Sequence, residues 1–363
     1  MKERIILFGG SFDPIHEGHI SIAKNAKEVL NCNRVIFIPA KNPRWKKGVT
    51  PTKDRLEMLK RGISGHSDFT ISNFEINSNA RVNYSIDTIR YFSSLYKGSE
   101  LFFLIGYDQL NRLHEWKDID EIIKLVHIVA VVRPNAPLNI KNKNKYNVMV
   151  IDNISYYISS TDIRTLKKID VPISVLEYIH DNNLYFLKEI SQMLSKRRFE
   201  HCKSVAMLCY KIALNNDLDR FKCYVSGLLH DIGKEVDKVE EEEIMNSFFK
   251  EYYLSLPEFS YHQFVGSYLV QTKFKIEDEE VIEAVKFHAT GKGNMSSIGK
   301  VVYASDKIEP LRGFDSTDLI ASCLKDYEQG FIDVLTANIE FLKEHHKSFE
   351  NILTKECIAY YLK

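Results

Sequence analysis

The chain of 363 residues has no excess of charge of either sign: 49 Lys and Arg stand against 49 Asp and Glu, a formal net charge of +0. That balance excludes a bulk nucleic-acid or membrane-surface binder, whose attraction rests on charge of one sign. Cysteine is sparse and scattered. Cys32, Cys202, Cys209, Cys223, Cys323 and Cys357 form no C-x-x-C pair, so reduced thiols are expected rather than a disulfide framework. Long apolar runs are also missing. The opening segment has only residues 5–8 before Gly9, too short for a signal-peptide core or a membrane span. No later stretch is long enough either, and no internal repeat is visible. A cytoplasmic, soluble protein is expected. With 44% hydrophobic and 27% charged residues, the composition supports a buried core and excludes wholesale disorder. At roughly 100–200 residues per domain, the length asks for two domains or three.

What is present is a change of pattern half-way along. Residues 5–8, 35–39, 101–105, 128–132 and 148–151 are short, continuous apolar runs, while 20–30, 85–96 and 116–126 have helical spacing. Residues 69–76 alternate loosely. Repeated strand–helix–strand order with continuous apolar strands predicts an α/β fold, a doubly wound parallel sheet covered on both faces. Residues 134–146, rich in Asn, Lys and Pro, are expected to be an exposed loop. A helix is expected within 171–185. From Lys188 onward the spacing is helical throughout, as in Val205, Leu208, Cys209 and Ile212, then Val225, Leu228 and Leu229. An all-α second domain follows, with domains at 1–187 and 188–363. The run Glu240–Glu243 reads as a solvated helix face, and His345-His346 as solvated.

The strongest local signal is Gly9-Gly10-Ser11-Phe12-Asp13-Pro14-Ile15-His16-Glu17-Gly18-His19. It lies where a buried strand hands over to a helix, the place where open α/β sheets bind ligands. Two glycines let backbone N–H groups approach a phosphate. His16 and His19, three residues apart, are expected to share one face near a helix N-terminus, a position that favours anions. Two imidazoles there can donate to a phosphate and stabilise its transition-state charge. A second signal is Ile158-Ser159-Ser160-Thr161-Asp162-Ile163-Arg164. Ser159 and Ser160 suit an N-cap, and Arg164 supplies a fork for phosphate oxygens one turn later.

Together these strings resemble the nucleotidylyltransferase superfamily, and most of all its bacterial nicotinate-nucleotide adenylyltransferase family, over roughly residues 1–187. The string 39–46 resembles the loop whose lysine, here Lys46, approaches the phosphates. Asn83-Tyr84-Ser85-Ile86-Asp87-Thr88 resembles the segment that holds the nicotinate ring. Gly106-Tyr107-Asp108-Gln109-Leu110 resembles the nucleotide-binding segment, with Tyr107 where the family normally has Ala. Trp116 stands where a tryptophan stacks on nicotinate. The resemblance implies a Rossmann-like fold and adenylyl transfer from ATP, which brings Mg²⁺, to nicotinate mononucleotide. It assigns His16, His19, Lys46 and Arg164 to catalysis. Gly9, Gly10, Ser11, Phe12, Tyr84, Ser85, Asp87, Thr88, Gly106, Asp108, Trp116, Arg133, Ser159 and Ser160 would bind substrates. A rival acceptor, phosphopantetheine, explains the Tyr84–Thr88 segment and Trp116 less well than a flat aromatic ring does.

The second half carries metal-type residues in separated helical segments: His201, the pair His230-Asp231, His262, His288 and Asp306. Each alone is weak. The ordered set is specific, because imidazoles and carboxylates from several helices can converge inside a bundle. Nitrogen and oxygen ligands suit Fe, Mn or Zn, and no cysteine is placed to help. RFEHCKSV, LLHDIGK, KFHATGK and SDKIEP-x-R resemble the HD phosphohydrolase superfamily, most closely its symmetric diadenosine tetraphosphate hydrolases, over about residues 190–330. The resemblance implies two divalent metals, iron with manganese as the alternative. His201, His230, Asp231 and Asp306 would hold one, and Asp231, His262 and His288 the other. Lys234 and Arg312 would contact phosphate, and the products would be two ADP. Two alternatives stay open for this half: a nucleoside monophosphate phosphatase, or a non-catalytic nucleotide-binding domain. The expected partners are ATP, nicotinate mononucleotide and diadenosine tetraphosphate, with neither nucleic acid nor membrane; the oligomeric state is left open.

Overall fold

The computed structural model describes residues 2–41, 48–79, 82–131, 137–152, 158–346 and 351–362. The chain forms two compact units, Met1–Asn182 and Asn183–Lys363. The division falls five residues ahead of the expected 187/188 boundary. The helix Phe186–Ile190 belongs to the second unit, where the buried Phe186 ring meets Tyr224 edge-on at 6.2 Å.

In the first unit, β1 (Arg4–Gly10), β2 (Arg34–Pro39), β3 (Phe69–Ile71), β4 (Glu100–Gly106), β5 (His127–Val131) and β6 (Met149–Ile151) form one sheet in the order β3-β2-β1-β4-β5-β6. Every pairing is parallel. Helices on both faces bury both sides of each central strand, so Ile5 to Phe8, Val35 to Ile38 and Leu101 to Ile105 are all buried. This is why the strands read as continuous apolar runs rather than as alternation. Ile5 pairs with Arg34 of β2 on one side and Leu101 of β4 on the other. The strand order reverses between β1 and β4, and the crevice beyond their carboxyl ends is the expected place for a ligand.

Three local expectations need correction. The loose alternation over 69–76 is a strand only to Ile71, and Phe74–Asn77 is a helical turn whose Phe74 ring stacks on Tyr91 at 4.1 Å. Residues expected to form only a loop include the helix Ile140–Lys145, capped by Asn139. Its buried Asn142 donates to Leu110 O at 2.9 Å, a tertiary bond that outweighs weak propensity. The helix expected from 116 starts at Ile119, which leaves Trp116 ahead of it.

The second unit is helical, with no strand among the described residues. The helices Lys196–Asn215, Arg220–Leu229, Glu279–Phe287, Ser297–Ile308 and Tyr327–Glu344 meet around Val205, Ile212, Cys223, Ala284, Val301 and Val334. One glycine decides how closely the backbones approach. A Cβ at Gly233 would lie 2.5 Å from both His262 O and Gly266 N, so the turn after Asp231 rests directly on the helix Tyr261–Thr272. His345 and His346 are exposed. No helix among the described residues is long and apolar enough to cross a membrane.

Candidate active sites

Beyond β1 the chain turns through Phe12, buried with φ 46°, into the helix Glu17–Val29. His16 lies at the N-terminus of that helix, where the sequence places the pair. It is the N-cap, with extended backbone, while His19 lies in the first turn. The two rings still come together, with centroids 3.7 Å apart and planes inclined by 31°. Gly18 is required between them, because a Cβ there would lie 2.9 Å from Ile158 Cγ2 and 3.0 Å from His16 Nδ1. The second signal docks at this point. Ser160 Oγ donates to Pro14 O at 3.0 Å, and Arg164 Nη1 donates to Asp13 O at 2.8 Å. Ser159 is engaged in a capping box with Asp162. The Ser11 carbonyl accepts from Arg55 at 2.8 Å. Gly9 and Gly10 close β1.

Beyond β4, a Cβ at Gly106 would lie 2.6 Å from Asp108 Oδ1. The glycine therefore makes room for the Asp108 carboxylate, which is exposed and accepts from Gln109 Nε2 at 3.1 Å. Tyr84, Ser85 and Trp116 line a cavity of about 150 Å³ together with Arg112 and Lys117. Trp116 packs edge-on against Phe103 of β4 at 5.9 Å, and the Lys117 ammonium lies 4.7 Å from the Tyr84 ring centre. Asp87 and Thr88 face elsewhere. Asp87 is exposed and pairs with Arg90 at 3.7 Å. Thr88 is buried and donates to Glu75 Oε1 at 2.8 Å. Burial raises the Glu75 carboxyl above its usual range despite that bond. Lys46 and Arg133 lie outside the described residues.

In the second unit all six expected ligands converge. His201 Nε2 lies 3.2 Å from both His230 Nε2 and Asp306 Oδ1. Asp231 Oδ1 lies 3.3 Å from His262 Nε2 and 3.5 Å from His288 Nε2, and these two nitrogens are 3.2 Å apart. Asp231 Oδ2 is 3.8 Å from His230 Nε2, so the carboxylate reaches toward both groups. All six residues are buried except His201, which is partly so.

The protonation pattern tests whether cations fit. His230 Nδ1 faces Gly227 O at 2.8 Å and His201 Nδ1 faces a Glu309 carboxylate oxygen at 2.9 Å. A carbonyl and a carboxylate only accept, so both Nδ1 atoms carry protons and both Nε2 atoms turn inward toward each other. Only a proton or a metal ion between them relieves that opposition. Two donor atoms bound to one ion at about 2.1 Å stand roughly 3.0–3.4 Å apart, which matches the spacing. The residues fit divalent metals.

Electrostatics agree with this pattern. Burial would raise Asp231 and Asp306, but the histidines around the first and Lys307 beside the second hold both carboxyls well below the usual range. Burial pushes His288 down to about 4, so its ring is neutral. The cluster opens into a cavity of about 670 Å³ lined by Arg197, Arg198, Lys234, Lys307 and Arg312. Arg198 pairs with Asp231, Arg312 with Asp306, and Lys307 Nζ lies 2.8 Å from Asp306 Oδ2.

Comparison with known proteins agrees with this division. Residues 7–166 match the cytidylyltransferase-like family, and residues 198–311 match the HD domain. A Mycoplasma genitalium protein described as a "probable nicotinate-nucleotide adenylyltransferase/Ap4A hydrolase" is 33% identical over 346 residues, which cover 92% of this chain and 97% of that protein. The chain belongs to this family. A Mycoplasma pneumoniae member with the same description is 28% identical over 90% of the chain and 96% of its own length. A Methylacidiphilum infernorum protein described as a "probable nicotinate-nucleotide adenylyltransferase" is 39% identical, covering 50% of this chain and 92% of its own length. That relative corresponds to a single half of this two-part family.

Sequence reasoning overlooked several residues that build the two sites. Arg55 is buried, and besides Ser11 O it donates to Thr50 O at 2.9 Å and Lys41 O at 3.2 Å, tying the loop after β1 to both ends of the connection after β2. Nothing in its helix Thr52–Ile63 distinguished it from a surface arginine. Arg198 and Lys307 lie within the metal-residue segments beside His201 and Asp306, where sequence assigns them no role. So does Glu309, three residues after Asp306.

Proposed function

We propose that the chain is a bifunctional nucleotide enzyme. The first unit transfers the adenylyl group of ATP to nicotinate mononucleotide, giving deamido-NAD and pyrophosphate. The second hydrolyses diadenosine tetraphosphate to two ADP. Membership of the family supports both activities. The observation that carries the first is the His16–His19 ring pair at the end of β1, held by the segment that bears Arg164. The observation that carries the second is the convergence of six imidazole and carboxylate side chains beside a cation-lined cavity.

In the first reaction the mononucleotide phosphate attacks the α-phosphorus and pyrophosphate leaves, so no covalent enzyme intermediate is needed. The protein contributes position and charge. His16 and His19 donate to the α-phosphate and the departing pyrophosphate. Lys46 and Arg164 neutralise phosphate oxygens. Asp108 receives the adenosine ribose, while Trp116, Tyr84 and Ser85 face the pyridine ring. ATP would bring Mg²⁺, which would supply further charge neutralisation at the phosphates.

In the second, His201, His230, Asp231, His262, His288 and Asp306 hold two divalent ions, iron or alternatively manganese, whose chemistry is Lewis acidity toward a phosphoryl oxygen and the attacking water. Lys234, Arg198 and Arg312 neutralise the polyphosphate. Phe259 and Leu311, exposed at the rim of the same cavity, offer apolar surface to the bases. The buried, free cysteines suit a reducing, cytoplasmic setting.

The test uses the full-length, metal-reconstituted chain with diadenosine tetraphosphate, products being resolved by ion exchange. ADP as the sole product supports the reading. No turnover with metal bound overturns it and moves the substrate to mononucleotides or the unit to a binding role.

A further inference from the structure

We propose that Glu309 makes the two metal positions of the second unit unequal: it fixes His201 as an Nε2 ligand and makes the His201–His230–Asp306 position the tighter of the two. The inference rests on reading the six-residue cluster as a two-metal site.

The four histidines are not held alike. His230, His262 and His288 each place Nδ1 on the backbone carbonyl three residues earlier, on Gly227 at 2.8 Å, Phe259 at 2.9 Å and Val285 at 2.8 Å. They can do so because each lies at a helix end. His230 and His288 are C-caps, and His262 is in the first turn of its helix. His201 lies within the helix Lys196–Asn215, where backbone carbonyls are already used by the helix. Its Nδ1 partner therefore comes from elsewhere in the fold. Glu309, the C-cap of Ser297–Ile308 and only 1% exposed, reaches across with Oε1 at 2.9 Å. Its other oxygen accepts from Leu311 N at 2.7 Å. With both oxygens engaged the carboxylate has one orientation.

A carboxylate behind a ligating imidazole fixes its tautomer and makes it a stronger donor than a neutral carbonyl does. The other position has the opposite neighbour. Lys234 Nζ lies 3.2 Å from His262 Nδ1, so a cation stands behind that ligand. Cations border the carboxylates of both positions, Arg312 and Lys307 at Asp306 and Arg198 at Asp231. The contrast lies in what backs the histidines: negative charge at one position, positive charge at the other.

Glu309→Gln keeps the shape and removes the charge. If its oxygen stays on Leu311 N–H, its amide faces His201 Nδ1 and drives the imidazole proton to Nε2, where it blocks the metal. Equilibrium dialysis of the full-length chain with Mn²⁺ reads this without substrate. Native protein is expected to bind one tighter and one weaker ion. Glu309→Gln should weaken the tighter class about 10- to 100-fold and leave the weaker one in place. His201→Gln should remove the tighter class and His288→Gln the weaker. Adding Glu309→Gln to His201→Gln should change nothing further, because the interaction it disrupts is already gone. Unchanged manganese affinities in Glu309→Gln overturn the inference. So does an equal loss in the His201→Gln background, which would mark Glu309 as merely structural, or loss of the weaker class in His201→Gln. Native protein that binds no manganese would instead remove the two-metal reading itself.

Discussion

The two candidate sites are built from different material. At the first, backbone does much of the work. A glycine-limited turn, a helix N-terminus and the carbonyls of Ser11, Asp13 and Pro14, held by Arg55, Arg164 and Ser160, set the shape. The residues that carry it form two short strings. At the second, side chains from separate helices meet around Asp231, and the ligands His201 and Asp306 stand 105 residues apart. Phosphate can be recognised by main-chain donors and local charge, which contiguous sequence can supply. A metal pair needs several strong donors pointing at one small volume, which no single segment can provide. The contrast therefore follows from the ligand each site is suited to.

The largest test of that contrast is Asp231→Ala. Because one carboxylate reaches both ligand groups, the substitution should empty both metal positions and abolish hydrolysis. Adenylyl transfer in the same preparation should be unchanged. Metal analysis with both assays checks this, and retention of one full equivalent of metal would count against a shared ligand. His19→Ala is the reciprocal change. It should lower adenylyl transfer roughly 10²–10³-fold, the usual cost of one transition-state donor, with the hydrolase rate preserved. Selective loss in steady-state kinetics is the expected result, and equal loss of both activities would break the comparison.

Gly18→Ala sharpens the claim that backbone shapes the first site. The added methyl must push against His16 and Ile158, and overpacking of this kind costs about 1–3 kcal/mol. Thermal unfolding should shift down together with a drop in transfer rate, while the metal content stays at the native level.

The smallest effect is electrostatic and lies away from both sites. Lys222 pairs with Asp278 at 2.8 Å and Glu280 at 2.6 Å. Hydrogen bonds to these two raise the lysine, and despite burial Lys222 holds Asp278 below its usual range. The raised lysine stabilises below its unfolded value and loses this as pH rises past it. The lowered carboxyl stabilises above its unfolded value and loses this as pH falls. The pair therefore contributes between about pH 4 and pH 10. Being partly exposed, it is worth about 0.5 kcal/mol. Lys222→Ala should lower the melting temperature slightly at pH 7, and the difference should vanish near pH 2.

Much of the architecture was legible because its causes are local. A parallel strand buried on both faces must be apolar along its length, so residues 5–8, 35–38 and 101–105 announced the sheet. A single helical turn needs only a cap and a few contacts, so the helix Ile140–Lys145 escaped notice until Asn142 could be seen bonded to Leu110. The site shows the same division. His16, His19, His230 and Asp231 were visible because their chemistry is read from residue type and near neighbours. Asp87 and Thr88 belonged to a recognisable string, yet their helix turns one outward to Arg90 and the other inward to Glu75.

Residue pattern is enough to specify an α/β half and an all-α half, a glycine-rich turn after the first strand, and six residues with the chemistry to hold metals. That His16 caps a helix beside His19, that a buried Arg55 ties two loops together, and that Glu309 stands behind His201 from 108 residues away follows instead from the packing of the folded chain. Strand periodicity and residue chemistry are properties of neighbouring residues. The partner that orients a side chain is whichever group the folded backbone carries to it, and that is settled by packing over the whole unit.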